Sequence, residues 1–190
     1  MSIGDGQNLQ PDGLEEFSDE MILLGLAMLG AQKFEFALYG MASHLKAHDR
    51  RFKDLTTEEF LRGDGTKTKQ TLGAIAQTYE AQFQFDGDEL TQFVIDRNLI
   101  AHDYWRLTQA KINGGRTLPN PKEFLLKFIK RCDTWTRLCQ GWITLAKTAA
   151  AEISGRLDEI SETPESIQKM LEYLIHVLER PAAEKPAEES

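Results

Sequence analysis

Cysteine is scarce in this chain: Cys132 and Cys139 are the only two among 190 residues. Seven residues apart on one helix, they would stand about 10 Å from each other. That is too far for a disulfide, so they are read as small apolar core residues rather than a redox pair or metal ligands. No stretch approaches the run of about 20 apolar residues that a membrane-spanning helix needs, and the expectation is a protein with no membrane partner. The opening Met1-Ser2-Ile3-Gly4-Asp5 lacks the basic start and apolar centre of a secretion signal, which makes a cytoplasmic location the expectation. Convincing strand alternation is absent. So are the GxSxG nucleophile turn, the P-loop, the HExxH zinc motif and CxxC, which removes the common hydrolase, nucleotide-binding and metalloprotease signatures.

Positive charge is also in short supply overall, with a formal net charge of −8, but its distribution is uneven. Residues 1–30 carry six acids and no base, and residues 148–190 carry ten acids and four bases. Residues 97–147 carry ten bases against three acids. Such asymmetry suits one face that meets phosphates, while solvated helix faces are the commoner cause of a local surplus.

What the chain does have is helical periodicity. Asp12-Gly13-Leu14-Glu15 has capping-box spacing. Leu23, Leu26 or Ala27, Gly30, Phe34, Ala37, Met41 and Leu45 then recur in steps of three and four. Gly25 and Gly30 in that helix suggest the close approach of a neighbour. His44 and His48, four apart at its end, have metal-ligand spacing, but no carboxylate or cysteine cluster is positioned in sequence to complete a site. Thr56-Thr57-Glu58-Glu59 predicts a short helix, and Leu72, Ile75, Ala76, Tyr79 and Phe83 a second core helix over 67–84. A helix begins at Asp86-Gly87-Asp88-Glu89 and places Leu90, Phe93, Val94, Arg97, Ile100, Ala101 and Tyr104 inward. Asn120-Pro121 opens a helix of up to about 40 residues, bent near Gly141 or Gly155. Thr163-Pro164 opens a last amphipathic helix with Ile167, Met170, Leu171, Leu174 and Leu178 on one side.

The fold class expected is all-α: a bundle of four long helices with a short inserted helix and a C-terminal amphipathic helix. The domain division is a flexible N-terminus over 1–12, a helical bundle over 13–161, a C-terminal helix over 162–180 and a disordered acidic tail over 181–190.

One stretch concentrates chemistry: Asp96-Arg97-Asn98-Leu99-Ile100-Ala101-His102-Asp103-Tyr104-Trp105. Arg97 interrupts an apolar stripe, and a buried arginine needs a partner, a ligand or a wet cleft. On an ideal helix Asn98, His102 and Trp105 share one face, and Tyr104 lies within about 20° of Arg97. Arg97 and His102 lie roughly 140° apart, so a local kink or a second subunit is needed to bring them together. A fixed cation and an imidazole titrating near neutrality suit metal-free attack on a phosphate.

Arg97-Asn98-x-x-x-His102 resembles the R-x4-6-H signature of the HEPN superfamily, and Tyr104 gives it the R-x4-H-x-Y form of HEPN/nucleotidyltransferase systems. The resemblance covers roughly residues 14–155 and rests on about eight of them. It implies a metal-independent endoribonuclease of toxin or phage-defence type, acting on RNA as a homodimer, with no metal and no cofactor. His102 would be the general acid or base and Arg97 would hold the phosphate. Asn98 would orient the site, Asp103 would support it, and Trp105 would stack a base. Tyr104 would be the hydroxyl that a nucleotidyltransferase antitoxin modifies. Two alternatives stand beside this. One is a catalytically inactive helical regulatory or interaction protein, similar to the mannitol-operon repressor, which carries a like Arg-Asn-x-x-Ala-His stretch. The other is a structural knot in which Asp96, Arg97 and Asp103 pair and His102 caps a buried polar network.

Overall fold

The computed structural model describes residues 12–45, 87–108 and 117–179. The described part is 90% helical, with no strand, and its helices form an all-α bundle. The helices predicted over 56–62 and 67–84, His48 and the two termini lie outside the described residues. In chain order the elements are α1 (Asp12–Leu45), α2 (Gly87–Asn98), a π-helical turn (Leu99–Asp103), α3 (Tyr104–Thr108), α4 (Pro121–Ile153), a 3-10 turn (Leu157–Glu159) and α5 (Pro164–Glu179). The α2, π and α3 segments run on without a break, so the motif stretch lies on one continuous rod.

The expected seam of α1 is the core: Ala27, Phe34, Ala37 and Met41 are buried, joined by Ala31, Leu38 and Ala42. Leu26 is exposed instead, which settles the choice at that step in favour of Ala27. The close approach lies at Gly30, where an added Cβ would sit 3.2 Å from Cys132 Cβ on α4. Gly25 has open space, so only one of the two glycines marks a neighbour. By length and composition, Asp19–Leu45 is apolar enough to cross a membrane, against the expectation that no stretch comes close. A helix that packs its apolar seam on a neighbouring helix meets the same test of composition.

An aromatic cluster joins α1, α2 and α4. Phe34 meets Phe93 edge-on at 4.8 Å and Trp135 at 5.2 Å, and Phe93 stacks on Phe128 at 5.2 Å. Phe93 is fully buried, which pins α2 one turn before the motif. Burying such a ring contributes a few kcal/mol. Cys132 and Cys139 are buried free thiols of the core, and burial pushes the Cys132 thiol up to about 12.

The long C-terminal seam ends sooner than its periodicity predicts. The helix stops at Ile153, which is exposed, because Gly155 takes a left-handed φ of 66° and turns the chain away. The α-helical pattern runs through Gly141 unbroken; the residue is buried under α5, where an added Cβ would come within 2.1 Å of the Lys169 carbonyl oxygen. That close seat rotates α5 relative to expectation. Tyr173 is buried and Val177 packs on the core, while Ile167, Leu171 and Leu178 are exposed. Arg137 on α4 clamps the same helix with a two-pronged bridge to Glu172, at 2.8 and 2.6 Å.

Candidate functional site

The motif turn is wider than an α-helical one. Leu99–Asp103 is π-helical, closing i→i+5 hydrogen bonds and so inserting one residue into the rod. Residues five apart across such a turn approach the relation that residues four apart have on an α-helix, about 40°. Arg97 and His102 are five apart. The π turn is therefore a local departure from regular α-helix of the kind the spacing required, and it reduces the gap that called for a second subunit.

The rotation of the rod is held from beneath. Asp96 is buried and bonded to Arg131 of α4, while Gln92 Nε2 donates to its other oxygen at 2.7 Å. The Arg131 guanidinium also lies over the rings of Phe128 and Trp135, at 5.6 and 5.8 Å. A buried carboxylate without such partners would be costly. With them it locks the face of α2 that carries Arg97 toward α1.

There Arg97 finds a partner that the motif spacing does not contain. Its Nε donates to Glu35 Oε1 at 3.0 Å, and its Nη1 donates to Asn98 Oδ1 at 3.1 Å. The Arg97 side chain is 35% exposed and that of Glu35 18%. Tyr39 stands one turn beyond Glu35 on α1. Burial pushes its phenol up, the Glu35 charge adds to the shift, and Arg97 opposes it. Glu35 was legible only as a polar residue beside the core seam of α1; its sequence separation of 62 from Arg97 hides the pairing.

His102 is exposed, and its imidazole has no hydrogen-bond partner among the described residues. Asp103 binds Arg106 at 2.6 Å on the surface, not Arg97. Trp105 is 59% exposed, on the outer side with Asn98 and His102. Tyr104 is buried, as its place on the inner stripe predicts, and its hydroxyl donates to Glu20 Oε1 at 2.9 Å on α1 rather than standing open to a modifying partner. Burial, then the bond to Glu20 and its charge, raise the Tyr104 phenol well above its ordinary value of 10.0.

The structural knot is corrected by the same geometry. Asp96 pairs with Arg131 and Asp103 with Arg106, and His102 faces outward, so no closed network joins them. At least half of the ten bases over 97–147 are in ion pairs with acids: Arg97, Arg106, Lys127, Arg131 and Arg137. Among the described residues, no group of three or more His, Cys, Asp or Glu is placed to hold a metal ion. A cavity of 690 Å³ opens elsewhere, between α1, α4 and α5, lined by Lys33, Phe36, Arg137 and Lys169 among others. None of the residues from Asp96 to Trp105 lines it.

Compared with family models, curated proteins and solved structures, the chain matches none of them.

Proposed function

We propose that this protein is a metal-independent endoribonuclease of toxin or phage-defence type, built on the Arg97–His102 stretch. The observation that supports the reading is the π-helical turn between a half-exposed guanidinium held by Glu35 and an exposed imidazole five residues on, a spacing that the wider turn draws toward one face. In the reaction, the RNA 2′-oxygen attacks the adjacent phosphorus while His102 takes the 2′-hydroxyl proton. The P–O5′ bond breaks, and the 5′-oxygen leaves as a hydroxyl once it is protonated by a general acid. The other product is a 2′,3′-cyclic phosphate. Arg97 neutralises charge on the phosphoryl oxygens, Asn98 holds one side of the guanidinium, and Trp105 offers a ring to a base. A homodimer, a cytoplasmic location and a nucleotidyltransferase antitoxin are parts of the same reading. Modification of Tyr104 by that partner requires the Tyr104–Glu20 bond to open first.

Purified protein is expected to cut RNA in EDTA, leave cyclic phosphate ends and spare DNA, which lacks the nucleophile. His102 is exposed and has no hydrogen-bond partner among the described residues, so His102→Ala is expected to fold normally and lose cutting by two or more powers of ten. Cleavage that persists in His102→Ala removes the assignment. Sedimentation in dilute buffer reads the dimer separately.

A second reading has its own observation. Ile22, Leu26, Leu29 and Phe36 are exposed along one stripe of α1, and Glu35 already engages Arg97. A non-catalytic regulatory or interaction protein, similar to the mannitol-operon repressor, fits a chain that displays apolar surface and keeps its arginine paired. RNA left intact by the wild-type protein favours that reading.

A further inference from the structure

The pairing of Arg97 is selective about which part of the guanidinium it uses. A guanidinium carries five N–H donors in one plane. Glu35 takes the one at Nε, and Asn98 takes one at Nη1. Among the described residues three donors remain, all on the two terminal nitrogens. The carboxylate is the more buried partner and the cation the more exposed one. The acid therefore grips the side of the arginine nearest the bundle, while the terminal fork is the part left to recognise an anion. Glu35 is itself held well: α1 is tied to α2 and α4 through Phe34, the residue before it, in the aromatic cluster.

The geometry points to Glu35 as a positioning residue of the Arg97–His102 site: its carboxylate fixes the guanidinium by Nε, so that the Nη1/Nη2 fork receives the oxygens of a phosphate beside His102. Its effect on rate rests on the endoribonuclease reading; its effect on how the guanidinium is oriented toward a phosphate does not.

The charge arithmetic says where the effect appears. A carboxylate beside Arg97 offsets part of the arginine's pull on a distant phosphate, so Glu35 adds little to ground-state attraction. What it adds is orientation, and orientation is felt at the transition state. Loss of Glu35 is expected mainly in kcat. Displacing a reacting group by an ångström costs up to about 100-fold. Glu35→Ala is expected to lower kcat about 10- to 100-fold with KM changed less than about threefold. Glu35→Gln keeps an oxygen acceptor for Nε and is expected to recover most of that loss. A role confined to stability would lower the melting temperature of Glu35→Ala and leave kcat of the folded protein unchanged.

The deciding experiment pairs this kinetic comparison with nitrogen NMR of the arginine Nε–H groups during titration with inorganic phosphate. The Arg97 signal is identified by its disappearance in Arg97→Lys. In the wild type, phosphate is expected to shift that signal; in Glu35→Ala the titration midpoint is expected to stay within about threefold while the size of the shift collapses because the guanidinium is no longer held in one orientation, and in Glu35→Gln the size of the shift is restored. If the wild type leaves RNA intact but shows this pattern with phosphate, the endoribonuclease reading falls and the positioning role stands. Equal kcat in active wild type and Glu35→Ala overturns the proposal. So does a phosphate response that is the same in both, or absent from the wild type.

Discussion

Tyr104 illustrates how much one residue's placement depends on its neighbours. Its hydroxyl is buried on a carboxylate, and a hydrogen bond to a charged group is worth about 1.5–3 kcal/mol. Tyr104→Phe is expected to cost about 1.5 kcal/mol, because Glu20 is partly exposed and water replaces the lost donor. The same site gives a pH dependence. The folded phenol ionises above its ordinary value of 10.0, so the folded state holds the proton more tightly than the unfolded state does. That contribution is present below pH 10 and falls as pH rises beyond it. Chemical denaturation at pH 8 and pH 10.5 is expected to show a smaller alkaline loss for Tyr104→Phe than for wild type. An unchanged alkaline loss shows that Tyr104 is not the group responsible. Glu35 teaches a related lesson. A carboxylate one step from the core seam of α1 looks ordinary in sequence, and only its distance to Arg97 makes it part of the site.

At the scale of the element, the π turn decides what the motif helix can do. It narrows the ideal-helix angle between Arg97 and His102, and just beyond it Tyr104 is tied to Glu20 of α1. A π turn holds one residue more than the α-helix it interrupts. Deleting Ala101, a partly buried filler in that turn, is therefore expected to restore a regular helix without rotating anything beyond it. The variant should fold, match or exceed the wild-type melting temperature, and keep His102 beside Arg97, now four residues apart. A regular α-helix across 99–103 would respond in the opposite way: the deletion would turn Tyr104 and all later positions by roughly 100° and unseat them from the core. Circular dichroism and thermal melting separate the two outcomes. The rod also depends on the Asp96–Arg131 lock below it, which sets the face that α2 turns toward α1.

At the scale of the whole molecule, the bundle is assembled by close approach at two glycines. Gly30 admits Cys132, and Gly141 admits the backbone of α5 at Lys169. Gly141→Ala places a methyl carbon 2.1 Å from a carbonyl oxygen, which backbone cannot yield to locally. The expected result is α5 lifted from α4, with a loss of about 1–3 kcal/mol, and strain on the Arg137–Glu172 bridge. Hydrogen exchange should show residues 164–179 opening first, with α1 and α2 still protected. Uniform loss of protection across the bundle instead would mean that α5 is part of the same cooperative unit.

The sequence by itself determined the all-α class, the start of each described helix to within about one residue, and the core positions of α1 and α2. Those follow from apolar spacing and capping chemistry, which are local and survive without knowledge of the partner. It also singled out Arg97 and His102, because an arginine in an apolar stripe is costly wherever it lands. Tertiary structure alone decided the rest. The identity of Glu35 as the partner depends on which helix lies across the rod, a matter of packing between segments 62 residues apart. Arg131 meets Asp96 for the same reason. The buried face of α5 was misread because Gly141 admits it at close range, which selects Tyr173 over the more apolar Ile167 and Leu171. The width of the turn at 99–103 could not be read at all: α and π turns share one residue preference, and the packing on either side chooses between them.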